Sequence, residues 1–287
     1  MWNPFNRNTI SNSSASKRSL QLITQKGMPF AYVEAYKALR TNLNFLSGSG
    51  DVHAFVVTST VPEEAKSNVS VNLALALTES GKKVVLVDCD LRKPVLHRYL
   101  KAGHNLKGVS NVLSRQVALS DALVEPKGIP NLTFLPAGTT PPNPSELLSQ
   151  PQMQEMVDTL RGSYDFVILD APPISMVTDA AVIGRIVDGA LFVVRSKYAS
   201  TDAVKTALEK LQDAGVKVLG AVLTRYDAKK SLKRSDYGYG YYYYNSNYSY
   251  GPPPDSISES AAEKSCLTSK KRHNGKEKHS VHTEDET

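Results

Sequence analysis

Residues 54–77, AFVVTSTVPEEAKSNVSVNLALAL, pass from a strand pattern to a helix pattern across one short loop. The first six residues form an apolar run that predicts a buried strand, and a helix is predicted over residues 66–80. Backbone N–H groups at the start of a helix that follows such a loop can bind phosphate. Lys66 can reach a terminal phosphate as a point charge, and the hydroxyl of Ser67 can hold a magnesium ion. The loop is therefore predicted to be a phosphate site.

The alternation of strand and helix patterns repeats between residues 54 and 224. Several runs are apolar at consecutive positions, as in strands that helices cover on both faces. This is typical of an α/β fold with a doubly wound, mostly parallel sheet of the P-loop NTPase-like kind, whose ligands bind beyond the carboxyl ends of the strands. The predicted strands are AFVVTS, KKVVLVDCD, LTFLPAG, YDFVILDAPP, GALFVVRS and VKVLGAVLT, and the further predicted helices cover residues 145–160, 178–187 and 201–214, with an amphipathic helix, PFAYVEAYKALRTNLNFL, before the first strand.

Three aspartates follow two of these predicted strands. Asp88 and Asp90 come at the end of VVLVDCD, and Asp170 ends FVILD. Because the carboxyl ends of parallel strands meet at one edge of a sheet, all three carboxylates should lie beside the loop. Magnesium commonly takes one or two carboxylates together with phosphates and water. One aspartate could bind the metal while another accepts a proton from a hydroxyl group. Ordinary strand-end caps are the alternative.

Composition narrows the class of protein. With 287 residues, the chain can form one large α/β domain with appendages. It has no run of about 18 apolar residues, so no bilayer-spanning segment is predicted, and its two cysteines suggest no disulfide framework. A cytoplasmic protein is the expectation. The net charge of +6 includes a basic N-terminal arm, which could approach an anionic membrane or be an ordinary solvated terminus.

The composition changes abruptly after Arg234. The segment SDYGYGYYYYNSNYSYGPPP places tyrosines among glycine, asparagine and serine and lacks the aliphatic residues that a core requires. Low-complexity self-association is one interpretation of this segment. We predict four parts of the chain, which are a flexible basic arm at residues 1–28, a P-loop domain at 29–235, a tyrosine cluster at 236–254 and a disordered polar tail at 255–287.

The motifs together resemble those of the bacterial tyrosine kinases of capsule and exopolysaccharide synthesis. Lys66-Ser67, VDCDLRKP, PPNPSELL and ILDAPP occur in this order, and the resemblance runs from about residue 29 to residue 250. It implies a protein-tyrosine kinase that uses ATP and Mg²⁺, with Asp88 as the best candidate for the base that accepts the tyrosine proton. Asp90 and Asp170 would organise the metal ion with Ser67. The implied catalytic residues are Lys66, Asp88 and Asp90, and the implied nucleotide-binding residues are Pro62, Glu63, Glu64, Ala65, Lys66, Ser67 and Asn68.

The resemblance also implies self-assembly and a substrate. The family joins subunits into rings through a Glu-x-x-Arg-x-x-Arg motif, whose counterparts here are Glu34, Lys37 and Arg40 on one stripe of the N-terminal helix. Lysine at the middle position loses the planar bidentate pairing of arginine, and an ordinary charged helix face is the alternative. Relatives phosphorylate a C-terminal tyrosine cluster between neighbouring subunits. The cluster here consists of Tyr237, Tyr239, Tyr241, Tyr242, Tyr243, Tyr244, Tyr248 and Tyr250.

The implied partners follow from the same resemblance. They are the cytoplasmic tail of a membrane chain-length regulator that activates the kinase, further copies of the chain in a ring, and a tyrosine phosphatase. No nucleic acid is implied. The regulator would recruit the kinase to the inner face of the cell membrane, where it would control capsular or exopolysaccharide synthesis or export. Base recognition is not indicated, since Thr224 stands where relatives tend to have asparagine.

The loop departs from the family pattern Pro-Gly-x-Gly-Lys-Ser, because Glu63 and Ala65 replace both glycines. Glycine permits positive φ, and a left-handed alanine costs about 1–2 kcal/mol. We expect the side chains of Glu63 and Glu64 to point into solvent while their N–H groups face the phosphates, which would weaken ATP binding without abolishing it. A catalytically weak scaffold, or pseudokinase, is the alternative. A partition or septum-positioning ATPase is disfavoured, because Val61 stands where that class has a second lysine.

Overall fold

The centre of the protein is a six-stranded parallel sheet. A computed structural model describes residues 21–48, 52–103 and 106–226. The strands are β1 (Ala54–Ser59), β2 (Val84–Asp88), β3 (Leu132–Leu135), β4 (Phe166–Asp170), β5 (Ala190–Arg195) and β6 (Val218–Thr224). Their order in the sheet is β3-β2-β4-β1-β5-β6, and every neighbouring pair is parallel. The predicted doubly wound α/β fold is confirmed.

Helices connect the strands and cover the sheet. In the described ranges they are α1 (Phe30–Gly48), α2 (Lys66–Glu79), α3 (Leu96–Tyr99), α4 (Val109–Leu113), α5 (Leu119–Ala122), α6 (Pro144–Leu148), α7 (Pro151–Arg161), α8 (Asp179–Gly184) and α9 (Thr201–Asp213). The single helix predicted over residues 145–160 was wrong, because two helices occupy this region. Gln150 has an extended backbone, as a residue before proline prefers, and Pro151 then begins a new helix.

Apolar side chains from the strands enter two layers, one on each face of the sheet. All residues of β1, β2 and β4 are buried. Successive side chains of a strand point to opposite faces, so Val56 and Val85 join one apolar cluster while Phe55 and Leu86 join the other. Burial on both faces explains why these strands are apolar at consecutive positions.

Strand register brings the polar ends of the central strands together. Asp88 and Asp170 are the last residues of β2 and β4 and are direct register partners. The loop after β1, which pairs with β4, leads into α2 at Lys66. The predicted phosphate loop and the predicted aspartates therefore lie at the same edge of the sheet.

Residues 21–28, which were assigned to the basic arm, pack against α2. Ile23 is buried, and its N–H donates to the side-chain oxygen of Asn72 at 2.8 Å. The predicted domain boundaries stay predictions, and the tyrosine cluster and the polar tail lie outside the described residues. No helix within the described ranges is both long enough and apolar enough to cross a membrane.

Candidate active site

The loop between β1 and α2 adopts a glycine-like backbone at both positions where glycine is absent. The φ angle is 72° at Glu63 and 70° at Ala65. Ala65 is left-handed, with a ψ angle of 23°, and immediately precedes α2. Each L-residue in this conformation costs about 1–2 kcal/mol. The loop therefore keeps the shape that glycines would favour, in spite of its sequence.

Glu64 lies inside the protein, between the loop and the sheet. Glu63 is exposed as expected, but the expectation that Glu64 would also point into solvent was wrong, because Glu64 is only 1% exposed. Its Oε2 accepts the N–H of Val61 at 2.9 Å, and its Oε1 accepts the N–H of Arg195 at 3.1 Å. A buried carboxylate needs such donors to offset the loss of water. Only the backbone of Glu64 is thus available to a phosphate.

The ammonium group of Lys66 lies between two of the predicted carboxylates. Its Nζ is 3.2 Å from Oδ2 of Asp90, 3.2 Å from Oδ2 of Asp170 and 3.3 Å from Oγ of Ser67. Burial alone would lower the pKa of Lys66, but the charges of Asp170 and Asp90 outweigh burial and raise the pKa. Lys66 is therefore charged and acts as the counter-ion of the site.

Two hydroxyl groups of α2 bind the buried carboxylate of Asp170. Ser67 donates to Oδ2 at 2.6 Å, and Ser70 donates to Oδ1 at 2.9 Å. Residues three apart on a helix share a face, so both serines reach the end of β4. Sequence reasoning missed Ser70. Ser70 could have been found as a small polar residue one turn after Ser67, in a helix that is otherwise largely apolar on this side.

Asp88 is almost completely buried beside these groups. Its carboxylate accepts the N–H of Leu96 at 3.2 Å and the N–H of Asp90 at 3.3 Å. Burial, followed by the charge of Asp170, raises the pKa of Asp88 to about 8, although the charge of Lys66 acts in the opposite direction. A carboxyl group that titrates near neutral pH is suited to accepting a proton.

The motif DLRKP connects this site to the segment PSELL. Asp90 also accepts the N–H of Lys93 at 3.0 Å, which fixes the turn after β2. Arg92 donates through Nε to Asp179 at 3.1 Å and through Nη2 to Ser145 at 2.8 Å, and Ser145 donates to Asp179. Sequence reasoning missed Asp179, which is completely buried at the start of α8. Because Asp179 is a lone acid at a predicted helix start, the sequence gave no indication that it contacts Arg92 and Ser145.

The remaining predicted nucleotide residues occupy the two ends of the loop. Pro62 is exposed. The side chain of Asn68 faces the N-terminal part of the chain, because its Oδ1 accepts hydrogen bonds from Tyr32 at 2.9 Å and Tyr36 at 3.2 Å, and its Nδ2 donates to the carbonyl of Gln21 at 2.9 Å. For Asn68, too, the backbone N–H is the group that remains for a phosphate.

The predicted oligomerisation residues make contacts within the chain. Lys37 forms an ion pair with Glu34 at 2.8 Å, one turn away on α1. Arg40 donates through Nη1 to the carbonyl of Ala76 in α2 at 2.8 Å. Arg40 therefore helps to dock α1 on α2, and the role of all three residues in a ring stays a prediction.

Fold and site together define a P-loop NTPase-like α/β protein, and comparisons with known proteins narrow the class. A family profile described as an AAA domain matches residues 64–218, more than half of the chain. Tyrosine-protein kinase YwqD of Bacillus subtilis (strain 168) is 37% identical over 205 residues, which cover 71% of this chain and 84% of YwqD. Putative tyrosine-protein kinase CapB of Staphylococcus aureus is 36% identical over 69% of this chain and 86% of CapB. The chain belongs to the family of bacterial tyrosine-protein kinases and is a protein-tyrosine kinase.

Solved structures lead to the same family. The kinase domain of the Escherichia coli tyrosine kinase ETK matches with a TM-score of 0.64 at 33% identity, over 72% of this chain and 80% of that domain. The chimerical protein CapA2B2 also has a TM-score of 0.64, at 36% identity over 67% of this chain and 84% of the chimera. The septum site-determining protein MinD of Pyrococcus horikoshii matches at 24% identity with a TM-score of 0.54, which shows a shared fold alone.

Proposed function

We propose that this kinase uses ATP and Mg²⁺ to phosphorylate the tyrosine cluster of a neighbouring copy of the chain. One observation carries the proposal, namely that the Nζ atom of Lys66 lies 3.2 Å from both Asp90 and Asp170 at the start of α2. A positively charged ammonium group, two carboxylates that can bind a metal ion and the first turn of a helix thus share one small site. Phosphoryl transfer needs these components, because its catalysis consists mainly of positioning and charge stabilisation.

The start of α2 supplies the groups for the phosphates. The N–H groups of Lys66, Ser67 and Asn68 belong to the first turn, where helix geometry provides no intrahelical acceptor. These groups and the positive end of the helix attract anions. Lys66 adds a full positive charge to the same place. We assign this cradle to the β- and γ-phosphates of ATP.

The donor set fits magnesium. Asp90 and Asp170 offer carboxylate oxygens, and the hydroxyl of Ser67 lies 2.6 Å from Asp170. The carboxylates of Asp90 and Asp170 outnumber the single ammonium group of Lys66 that contacts them, so a divalent cation would restore the charge balance. Among the described residues, no three His, Cys, Asp or Glu side chains form a complete metal cage. Magnesium does not require one, since it takes one or two carboxylates and completes its shell with phosphate oxygens and water. When bound, it would offset the charge on the transferring phosphate.

Asp88 is the proposed acceptor of the tyrosine proton. In the transfer, the phenol oxygen forms a bond to the terminal phosphorus, and the bond from that phosphorus to the bridging oxygen breaks, which releases ADP. The phenol proton passes to the carboxylate of Asp88. A pKa of about 8 leaves most of this group protonated at neutral pH, and an added cation in the site would favour the ionised form that can act as base.

The proposed substrate is the C-terminal tyrosine cluster. It lies outside the described residues, so its support is the sequence itself together with the family. Eight tyrosines lie within residues 237–250, four of them consecutive and the others separated by glycine, serine or asparagine. Such a composition allows an extended segment to enter a neighbouring site. Each phosphate would add about −1.5 to −2 charges. Several phosphates would make the segment strongly acidic and could loosen an assembly.

The proposed partners are a membrane protein whose cytoplasmic tail activates the kinase, further copies of the chain through Glu34, Lys37 and Arg40, and a tyrosine phosphatase that resets the cluster. The activator would hold the kinase at the inner face of the membrane, where it would regulate capsular or exopolysaccharide synthesis or export. Support comes from family membership. In tyrosine-protein kinase Wzc of Salmonella typhimurium, 34% identical, the region that matches this chain is only 28% of a longer protein.

A single substitution tests the proposed site. Lys66→Met should abolish phosphorylation of the cluster, because it removes the charge that contacts both carboxylates. The full-length chain would be dephosphorylated, incubated with ATP and Mg²⁺, with and without a candidate activator tail, and mapped by mass spectrometry. Lys205→Met, on an exposed position of α9, is the matched control and should phosphorylate like the wild type.

Two results would count against the proposal. Phosphotyrosine that forms in the Lys66→Met protein at the wild-type rate would show that the site is elsewhere. If the wild type showed neither nucleotide binding nor phosphorylation under any condition, the scaffold alternative would be favoured instead. Thermal unfolding of each variant separates a lost site from a lost fold.

A further inference from the structure

Glu64 is a buried acid that the proposed chemistry does not use. Its side chain is only 1% exposed, yet it lies in the middle of the phosphate loop, between the two residues with positive φ. We infer that Glu64, with Arg195 and Thr224, is a brace that holds the loop in its glycine-like conformation. The three residues are therefore positioning residues for the nucleotide, and the inference rests on the proposed function of this loop.

The carboxylate of Glu64 joins the beginning of the loop to the sheet. Oε2 accepts the N–H of Val61 at 2.9 Å, and Oε1 accepts the N–H of Arg195, the last residue of β5, at 3.1 Å. Both oxygens are thus engaged by backbone donors on separate segments. Because hydrogen bonds to a charged acceptor are stronger than those between neutral groups, this arrangement fixes the loop against the end of β5.

Two carbonyl groups of the loop are held from the same side. Thr224 Oγ1 donates to the carbonyl of Glu64 at 2.9 Å, and Arg195 Nη1 approaches the carbonyl of Glu63 at 3.4 Å. Arg195 and Thr224 are direct register partners at the ends of β5 and β6. The guanidinium of Arg195 also lies 4.3 Å from the ring centre of Tyr198, which limits its motion.

The brace determines which way the loop N–H groups point. In a planar trans peptide, the N–H points opposite to the carbonyl of the preceding residue. Because the carbonyls of Glu63 and Glu64 face Arg195 and Thr224, the N–H groups of Glu64 and Ala65 face away from β5 and β6. They are then available to phosphate oxygens, as the N–H groups of a glycine loop would be.

A need for the brace follows from the loop sequence. Glycine adopts positive φ without steric cost, so a loop with glycines at residues 63 and 65 would keep its shape unaided. Glutamate and alanine at these positions favour other conformations, and interactions from outside the loop must hold them. Restoring the glycines should therefore make the brace dispensable, and this dependence separates a brace from a residue that stabilises the fold generally.

The test is a cycle of four full-length proteins. They are the wild type, Glu64→Gln, the double variant Glu63→Gly/Ala65→Gly, whose loop is called the glycine loop, and the triple variant that carries all three substitutions. Glutamine keeps the size of the side chain but replaces one accepting oxygen with an NH2 group, so one of the two backbone N–H groups would face a donor. The dissociation constant of a fluorescent ATP analogue would be measured with Mg²⁺. We expect Glu64→Gln to weaken binding by roughly 10-fold or more in the wild-type loop and by about 3-fold or less in the glycine loop. The KM for ATP should change more than kcat.

Thr224→Val provides an independent arm, because valine keeps the shape of threonine and removes the hydroxyl that donates to Glu64. It should weaken nucleotide binding by about 3–10-fold in the wild-type loop. Thr133→Val in β3, at the opposite edge of the sheet, is the matched control and should have no effect.

Equal weakening by Glu64→Gln in both loops would overturn the inference, and so would no weakening in either. A wild type that binds no nucleotide would refute the proposed function and not the brace. In that case the same four proteins decide by thermal unfolding without nucleotide. If the brace holds the loop, Glu64→Gln should lower the melting temperature more in the wild-type loop than in the glycine loop. Equal decreases in the two loops would reject the brace.

Discussion

Replacing Ala65 with glycine should stabilise the protein, although glycine usually destabilises. Ala65 has a φ of 70° immediately before α2, and a left-handed alanine costs about 1–2 kcal/mol. Glycine removes this cost but loses about 0.5–1 kcal/mol through its greater freedom in the unfolded chain. The two ranges leave a net gain of about 0 to 1.5 kcal/mol, and its central value of about 0.75 kcal/mol corresponds to roughly 1.5–3 °C in melting temperature for a domain of this size.

The matched control is Ala38→Gly, at an exposed position within α1. Glycine in a right-handed helix interior costs about 1 kcal/mol, so the same chemical change should have the opposite sign there. Urea unfolding at neutral pH without nucleotide measures both variants against the wild type. A loss of stability in Ala65→Gly as large as that in Ala38→Gly would refute the left-handed conformation at Ala65, and with it the account of the loop.

Two carboxylates should affect stability with opposite dependence on pH. Asp88 has a pKa raised from 3.8 to about 8, so the folded protein keeps a proton that the unfolded chain releases, and this contribution to stability is lost as the pH rises from about 4 to about 8. As the pH rises over that range, the free energy of unfolding of Asp88→Asn should therefore increase relative to that of the wild type by at most about 1.4 kcal/mol per pH unit, as measured by urea unfolding. The same pH dependence of stability in both proteins would contradict the raised pKa. For Asp188, burial alone would raise the pKa, but the N–H groups of Ala54 and His53 and the guanidinium of Arg161 lower it. Asp188→Asn should cost about 1–3 kcal/mol at neutral pH and progressively less as the pH falls below about 4, and an undiminished cost at about pH 3 would contradict this assignment.

The fold could be predicted because its central strands are buried on both faces. Runs such as FVILD and VVLVD have no polar position until their last residue, which marks both the strand and the end at which the candidate site lies. The break between α6 and α7 was missed although Pro151 indicates it. The apolar pattern continues across that proline, since both helices pack on the same cluster through Leu148 and Met153.

The site could be predicted only where residues lie next to a strand end or a helix start. Lys66, Asp88 and Asp170 meet this condition, and the parallel register brings them together. The partners of Glu64 and Asp179 come from distant segments: the Glu64 carboxylate meets Arg195, 131 positions away, and the Asp179 carboxylate meets Arg92, 87 positions away. A single sequence carries no signal for contacts of that separation, so an acid with such a partner looks like an ordinary surface acid.

If ATP and Mg²⁺ bind at this site as proposed, the position of Lys66 indicates that they should bind as a pair. An ammonium group has three N–H donors, and here they face Asp90, Asp170 and Ser67. A phosphate oxygen that takes one of these donors leaves a buried carboxylate with less positive charge beside it, and a poorly compensated buried charge is costly. A divalent cation that enters with the phosphate removes this cost, because it supplies the charge that the lysine gives up. Nucleotide without the cation should therefore bind weakly, for reasons that lie in the unliganded site as much as in the charge of ATP.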